Sequence, residues 1–199
     1  MRILFLGGPG TGKSTAGKRL AETLGWPWVS SGELLRESKE PWVIEKLKTA
    51  ELFDDGMVAE LVLPRVESVP NAIIDGFPRT LKQAKIMVDR GVRIDLILEM
   101  EIPLEEAVVR LEARGREQDT PEIIAERYQM YSQTKGEILA FLAGYGIKVE
   151  PIDGTGTMDE VFARVQERVL AALKAAVSAS AEGAADASST PNTPSAPGN

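Results

Sequence analysis

Residues 7–15 read Gly-Gly-Pro-Gly-Thr-Gly-Lys-Ser-Thr, and Gly7, Gly12, Lys13 and Ser14 satisfy the spacing G-x-x-x-x-G-K-[ST] of a phosphate-binding loop. The residue types suit that chemistry. Glycines let backbone N–H groups turn inward and approach phosphate oxygens, and a helix starting at Lys13 adds positive potential behind them. On this reading Gly8, Pro9, Gly10, Thr11 and Gly12 form the cradle and Lys13 reaches the outer phosphates of a nucleotide. The hydroxyl of Ser14, or of Thr15 beside it, ligates Mg²⁺. The bland alternative is a glycine-rich strand-to-helix turn with no ligand; the apolar strand before the loop and the helix after it weigh against that.

Other charged residues fall at telling places. Asp75 closes the apolar run Ala72-Ile73-Ile74, where P-loop proteins hold a carboxylate that orients Mg²⁺ directly or through water. Read blandly, it caps the turn before Gly76. Arg79, after Gly76-Phe77-Pro78, falls at the start of a helix, where the dipole disfavours a cation unless a bound anion offsets it. Arg36, just past Ser31-Gly32, reads by itself as a solvated surface arginine. Arg110 and Arg114 share one helix face, Gly115 ends that helix, Arg116 lies just beyond, and Arg127 sits on the next helix. Such a cluster is ordinarily a solvated basic face. In a chain of net charge -7, arginine concentrated around a phosphate loop gains weight, because guanidinium binds phosphate bidentately.

Positioning these residues takes strands alternating with helices. Ile3-Leu4-Phe5-Leu6 suits a strand buried on both faces, and Lys13 to Leu24 suits a helix ending near Gly25. Further strands are expected over 27–30, 71–75, 95–101 and 147–152, and helices over 41–49, 54–68, 79–90, 104–114, 120–143 and 158–177. That alternation is an α/β fold with a mostly parallel sheet. Thr120-Pro121 supplies an N-cap with proline at the first helical position, and Thr157 with Glu160 fits a capping box. From Ser178 to Asn199 there is no Leu, Ile, Val, Met or aromatic residue, so this Ala/Ser/Pro-rich tail is expected to be disordered and outside the catalytic unit.

The whole chain narrows the chemistry. Its 199 residues allow one domain with an ample core. Neither cysteine nor histidine occurs, which removes disulfides, thiolate zinc sites and imidazole bases. Catalysis must then run on carboxylates, lysine, arginine, hydroxyls, backbone and a bound metal. The charge balance argues against nucleic acid or an anionic membrane as partner. No apolar run reaches 18 residues and Met1-Arg2 leads straight into the first strand, so no leader is expected and the chain reads as cytoplasmic.

In order, the segments Gly7 to Lys13, Ser31-Gly-Glu-Leu-Leu-Arg36, Asp75-Gly-Phe-Pro-Arg79-Thr-Leu-Lys-Gln83-Ala84, Arg110-Leu-Glu-Ala-Arg114-Gly-Arg116 and Arg127-Tyr-Gln-Met-Tyr131 resemble the adenylate kinases of the nucleoside monophosphate kinase family. The likeness covers nearly all of residues 1–177. It implies a P-loop NTPase-type sheet of five parallel strands flanked by helices, an NMP-binding helical insertion near 30–65, a short lid near 114–120, and a monomer. It further implies that Arg36 and Arg79 hold the AMP phosphate, Ser31 and Gly76 line the AMP site, and Gln83 reads adenine. Arg110 would flank the ATP base, Gly156 would join the ATP site, and Arg114, Arg116 and Arg127 would act with Lys13 on the transferring phosphates. Ser14 stands where the family usually has glycine, Ser31 where it has threonine, Glu33 where aspartate is common and Ala50 where a glycine is usual; the lid is shorter than the family's short type. None of these departures removes a group that the chemistry requires.

The implied reaction is in-line transfer of the ATP γ-phosphoryl to AMP, reversibly giving two ADP, with Mg²⁺ as cofactor. Such transfer needs alignment and charge neutralisation more than a strong base. A kinase for UMP or CMP is one alternative, against which Gln83 speaks because an amide can both donate to and accept from the adenine edge. A nucleotide-binding sensor or regulatory ATPase is the other. A sensor of ATP alone has no need of Arg36, Arg79 and Gln83.

Overall fold

Strand β1 (Arg2–Gly7) lies at the centre of the fold because its side chains are apolar on both faces; Ile3, Leu4 and Phe5 are wholly inaccessible. The computed structural model describes residues 1–116 and 119–187. Five parallel strands form one sheet in the order β2-β3-β1-β4-β5, with β2 at Trp28–Ser30, β3 at Ala72–Asp75, β4 at Leu96–Glu101 and β5 at Lys148–Asp153.

Alternation along β1 sends its side chains into two cores. Leu4 and Leu6 pack with α4 (Asp55–Glu67), α5 (Leu81–Asp89) and α7 (Pro121–Ala143), through residues such as Val62, Met87 and Ile138. Ile3 and Phe5 pack with α1 (Lys13–Leu24) and α8 (Met158–Ala187), through Leu20, Phe162 and Val165. The remaining helices are α2 (Ser31–Arg36), α3 (Pro41–Leu47) and α6 (Leu104–Arg114).

The chain starts at the sheet centre, crosses through α1 to the edge strand β2, and returns through α2, α3 and α4 to β3 beside β1. It then passes through α5 to β4 on the other side of β1. The loops after β1 and β3 therefore open side by side at the carboxyl ends of neighbouring strands, which is where open α/β sheets bind ligands.

Three details differ from the sequence reading. No helix is expected over 31–36, yet α2 forms there, with the Ser30 hydroxyl accepting from the Glu33 N–H at 3.4 Å. Six residues are too few to show a periodicity; the Ser-x-x-Glu spacing of a cap was the signal available. Helix α5 begins at Leu81 with Thr80 as N-cap, so Arg79 precedes the helix instead of opening it. The expectation of disorder from Ser178 is corrected as far as Ala187, because α8 runs on to that residue. Alanine is the best helix former, and extending an existing helix avoids the cost of nucleation, so these residues need no core of their own. Residues 188–199 of the expected tail, and 117–118 of the expected lid, lie outside the described residues.

Candidate active site

The loop after β1 is built around two left-handed glycines. Gly12, with φ 83°, is the N-cap of α1 and offers no side chain to the first-turn N–H groups, which leaves them for an anion. Gly10 has φ 78°, and a Cβ there would lie 2.9 Å from the Ala107 Cα of α6. Inside the loop, the Lys13 ammonium donates to the Gly8 carbonyl at 2.9 Å and the Thr11 hydroxyl donates to the same oxygen at 3.0 Å. Desolvation holds the Lys13 pKa down to about 8; Arg79 and Arg114 push the same way and Asp75 opposes them.

Asp75 ends β3 directly beside that loop and is 2% exposed. Its Oδ2 accepts from the Ser14 hydroxyl at 2.6 Å and from the Ser30 hydroxyl at 3.1 Å. Its Oδ1 is buried and meets no donor among the described residues. A buried carboxylate oxygen without a donor is costly, and a cation or a cation's water satisfies it. The residues present therefore fit Mg²⁺ held with nucleotide phosphates.

Facing the loop is a second cradle. Ser31 donates to the Gly76 carbonyl at 2.6 Å and the Arg79 Nε to the same oxygen at 2.8 Å, which turns the Arg79 side chain back over the β3 loop. Gly76 has φ 73°, and a Cβ on it would lie 2.9 Å from the Ser31 hydroxyl and 3.1 Å from Arg79 Nη2. A Cβ on Gly32 would lie 3.1 Å from Arg36 Nη1 and 3.7 Å from Arg79 Nη2, so the two guanidinium groups converge over these glycines. The Arg36 guanidinium makes no hydrogen bond or ion pair with any described residue. Buried Gln83 accepts from the Arg79 N–H at 2.7 Å through its Oε1. That bond fixes the amide and leaves its NH₂ group as a donor.

Between the cradles sit three more arginines. Desolvation, with the repulsion of neighbouring guanidiniums behind it, lowers the pKa of Arg36, Arg79, Arg116 and Arg127; the groups stay cationic, and the strain is one that an anion relieves. Buried Asp119 accepts from Arg114 Nε at 3.0 Å and from its Nη2, and from Arg127 Nη1 at 3.4 Å. Arg127 Nη2 also donates to the carbonyls of Leu47 at 3.0 Å and Thr49 at 2.8 Å, tying α7 to the segment after α3.

A single cavity of about 660 Å³ is lined by Gly8, Pro9, Gly10, Lys13, Ser14 and Thr15 on one side, by Ser31, Arg36, Gly76, Arg79 and Gln83 on the other, and by Asp75, Arg114, Arg116 and Arg127 between. Thr11 and Gly12 belong to the loop but do not line it. Arg110 and Gly156 lie apart from the cavity and meet each other: Arg110 Nη2 donates to the Gly156 carbonyl at 3.1 Å, and Arg110 also pairs with Glu106. Sequence reasoning missed Asp119, which it passed over as the residue before the Thr120 cap. It also missed the carbonyls of Leu47 and Thr49. Nothing in the spacing of a lone aspartate marks it as the counterion of two arginines.

A phosphate loop on a parallel sheet, facing a guanidinium cluster across one cleft, defines a P-loop nucleotide-binding protein. Family comparison narrows this: the adenylate kinase family model matches residues 5–146. The chain is similar to the adenylate kinase of Mycolicibacterium paratuberculosis, 40% identical over 177 residues that cover 82% of this chain and 96% of that protein. It is also similar to the adenylate kinases of Maricaulis maris, 36% identical over 182 residues covering 83% and 96%, and of Mycobacteroides abscessus, 36% identical over 180 residues covering 84% and 98%. The chain belongs to the adenylate kinase family.

Proposed function

We propose that the chain transfers the γ-phosphoryl of MgATP to AMP by direct in-line displacement, reversibly giving two ADP. The observation that carries this is two phosphate cradles, the loop with Lys13 and the pair Arg36 and Arg79, opening into one cavity with arginines between them. The loop 8–15 takes the ATP phosphates, Arg36 and Arg79 the AMP phosphate, and Arg114, Arg116 and Arg127 meet the phosphoryl in transit. Ser31 and Gly76 shape the AMP side, Gln83 reads the AMP base, and Arg110, outside the main cavity with Gly156 beside it, flanks the ATP base. Ser14 and Asp75 would hold Mg²⁺, the carboxylate partly through water; when bound, the ion neutralises charge on the β- and γ-phosphates. No covalent intermediate on the protein is needed.

The kinase unit is residues 1–177, with the AMP-binding insertion at 30–65 and the lid at 114–120. The family resemblance supports a monomer, and the cysteine-free sequence suits a cytoplasmic setting. Among the described residues no helix is long and apolar enough to cross a membrane.

The test is ADP formation from saturating MgATP with AMP, CMP and UMP, in the parent and two variants. The parent is expected to favour AMP. Gln83→Leu should cost about 1–3 kcal/mol of selectivity for AMP over CMP and UMP, because a base edge is left unpaired. Arg79→Ala should weaken all three alike, since a phosphate contact carries no base information. A parent that makes no ADP would transfer the assignment to a nucleotide sensor; an AMP preference untouched by Gln83→Leu would place the base reader elsewhere.

A further inference from the structure

Behind the phosphate loop lies a second group of charges that the reaction does not use. Strand β4 pairs with β1 so that Glu99 stands opposite Leu6 and Met100 opposite Gly7. Glu99 and Glu101, two residues apart on β4, therefore point to the same face of the sheet, immediately beside the loop. Lys135 on α7 bridges them: its ammonium donates to Glu99 Oε1 at 3.2 Å and to Glu101 Oε1. The Tyr131 hydroxyl also donates to Glu99 Oε1, at 3.5 Å, and the Tyr128 hydroxyl donates to the Ile102 carbonyl at 2.9 Å. Both rings press on the loop, since a Cβ on Gly8 would sit 3.3 Å from Tyr131 and 3.6 Å from Tyr128. A small cavity of about 30 Å³ separates this group from the loop, bounded by Gly8, Thr11, Glu101, Tyr128, Tyr131 and Lys135.

The arrangement has an electrostatic consequence. Two carboxylates, of which Glu99 is 8% exposed, sit behind a loop whose ligand is a polyanion. Unneutralised, they would oppose the phosphates through the poorly screened interior and would oppose each other as well. Among the described residues, Lys135 is the cation paired with both. It also sets the Glu99 oxygen that receives Tyr131, and Tyr131 backs Gly8, the carbonyl to which Lys13 and Thr11 donate. Charge and geometry reach the loop by the same residue.

We propose that Lys135 is a positioning residue for ATP: its charge offsets one of the two negative charges of the Glu99–Glu101 pair behind the phosphate loop, and its bond to Glu99 holds Tyr131 against Gly8. This rests on the reading of the loop as the ATP site. Among the described residues no hydrogen bond or ion pair joins the AMP cradle to Glu99, Glu101 or Lys135, so that cradle should not feel the loss of the Lys135 charge.

Steady-state kinetics on the full chain test it, with thermal unfolding to confirm that each variant is folded. Lys135→Gln keeps a hydrogen-bond donor and removes the charge. It should raise KM for MgATP roughly three- to tenfold and leave KM for AMP unchanged. Lys135→Arg, which keeps the charge, should stay within about twofold of the parent. The decisive variant is the double substitution Glu99→Gln with Lys135→Gln, which removes one carboxylate together with the cation and keeps an acceptor for Tyr131. It should recover most of the lost ATP affinity. An unchanged KM for MgATP in Lys135→Gln, an equal rise in both KM values, or a double variant no better than the single one would overturn the proposal. A parent that makes no ADP would remove the kinase reading alone; the same comparison of variants is then read from the Kd for MgATP, measured by titration, with the same outcomes supporting or overturning the proposal.

Discussion

Lys13 shows how one residue can be tuned by its surroundings. A lysine ordinarily titrates near 10.5, and desolvation in the cleft, backed by Arg79 and Arg114, brings this one to about 8. Between those values the unfolded chain binds more protons than the folded one, so through this group stability rises with pH. Phosphate binding runs the other way, because the neutral amine no longer attracts an anion. The ratio kcat/KM for MgATP, which reports the free enzyme, should be flat below about pH 8 and fall above it. The value of kcat should hold to higher pH, since bound phosphates favour the ammonium. A pH–rate profile of the parent, beside Lys13→Met with turnover lower by about 10²–10³, checks this; a parent kcat/KM level up to pH 9.5 would defeat it.

At the scale of elements, α6 and α7 are joined at the cleft by a carboxylate whose partners are both candidate phosphate ligands. Asp119 lies between the end of α6 and the Thr120 cap of α7, and its burial is tolerable because Arg114 and Arg127 hydrogen-bond both of its oxygens. Asp119→Ala would leave Arg114 and Arg127 without the carboxylate that pairs them, beside the guanidinium of Arg116. The expected loss is about 1–3 kcal/mol in the free protein, less than a fully buried pair would give because both arginines reach solvent. A nucleotide's phosphates supply the missing anion, so the loss should shrink with saturating ligand. Thermal midpoints with and without MgATP and AMP measure this; equal drops in both conditions would mean that Asp119 serves only packing.

For the whole molecule, the described core residues of α8 all lie before Val177. Among the described residues, those that α8 buries are Val161, Phe162, Val165 and Val169, whereas Leu170 and Val177 are exposed. Ending the chain after Val177 should therefore leave turnover unchanged and the thermal midpoint within about 2 °C, while circular dichroism loses the helical signal of 178–187. A larger fall in the midpoint would show that this extension packs against the body.

The phosphate loop, the strand that leads into it and the long helices could be read from the chain because each rests on local physics. Gly-Lys-Ser spacing, apolar runs and capping pairs act over a few residues and leave their mark in order. The resemblance then placed Arg36, Arg79 and Gln83 in one site. Short α2 escaped because six residues carry no periodicity, and the helix over 178–187 escaped because composition was weighed for burial and not for propagation. Only the tertiary structure decided which charges meet. Asp119 became the counterion of Arg114 and Arg127, and Lys135 the partner of Glu99 and Glu101, because α6, α7 and β4 converge on the loop. The energy of such pairs depends on distance and burial, and neither is written in sequence spacing.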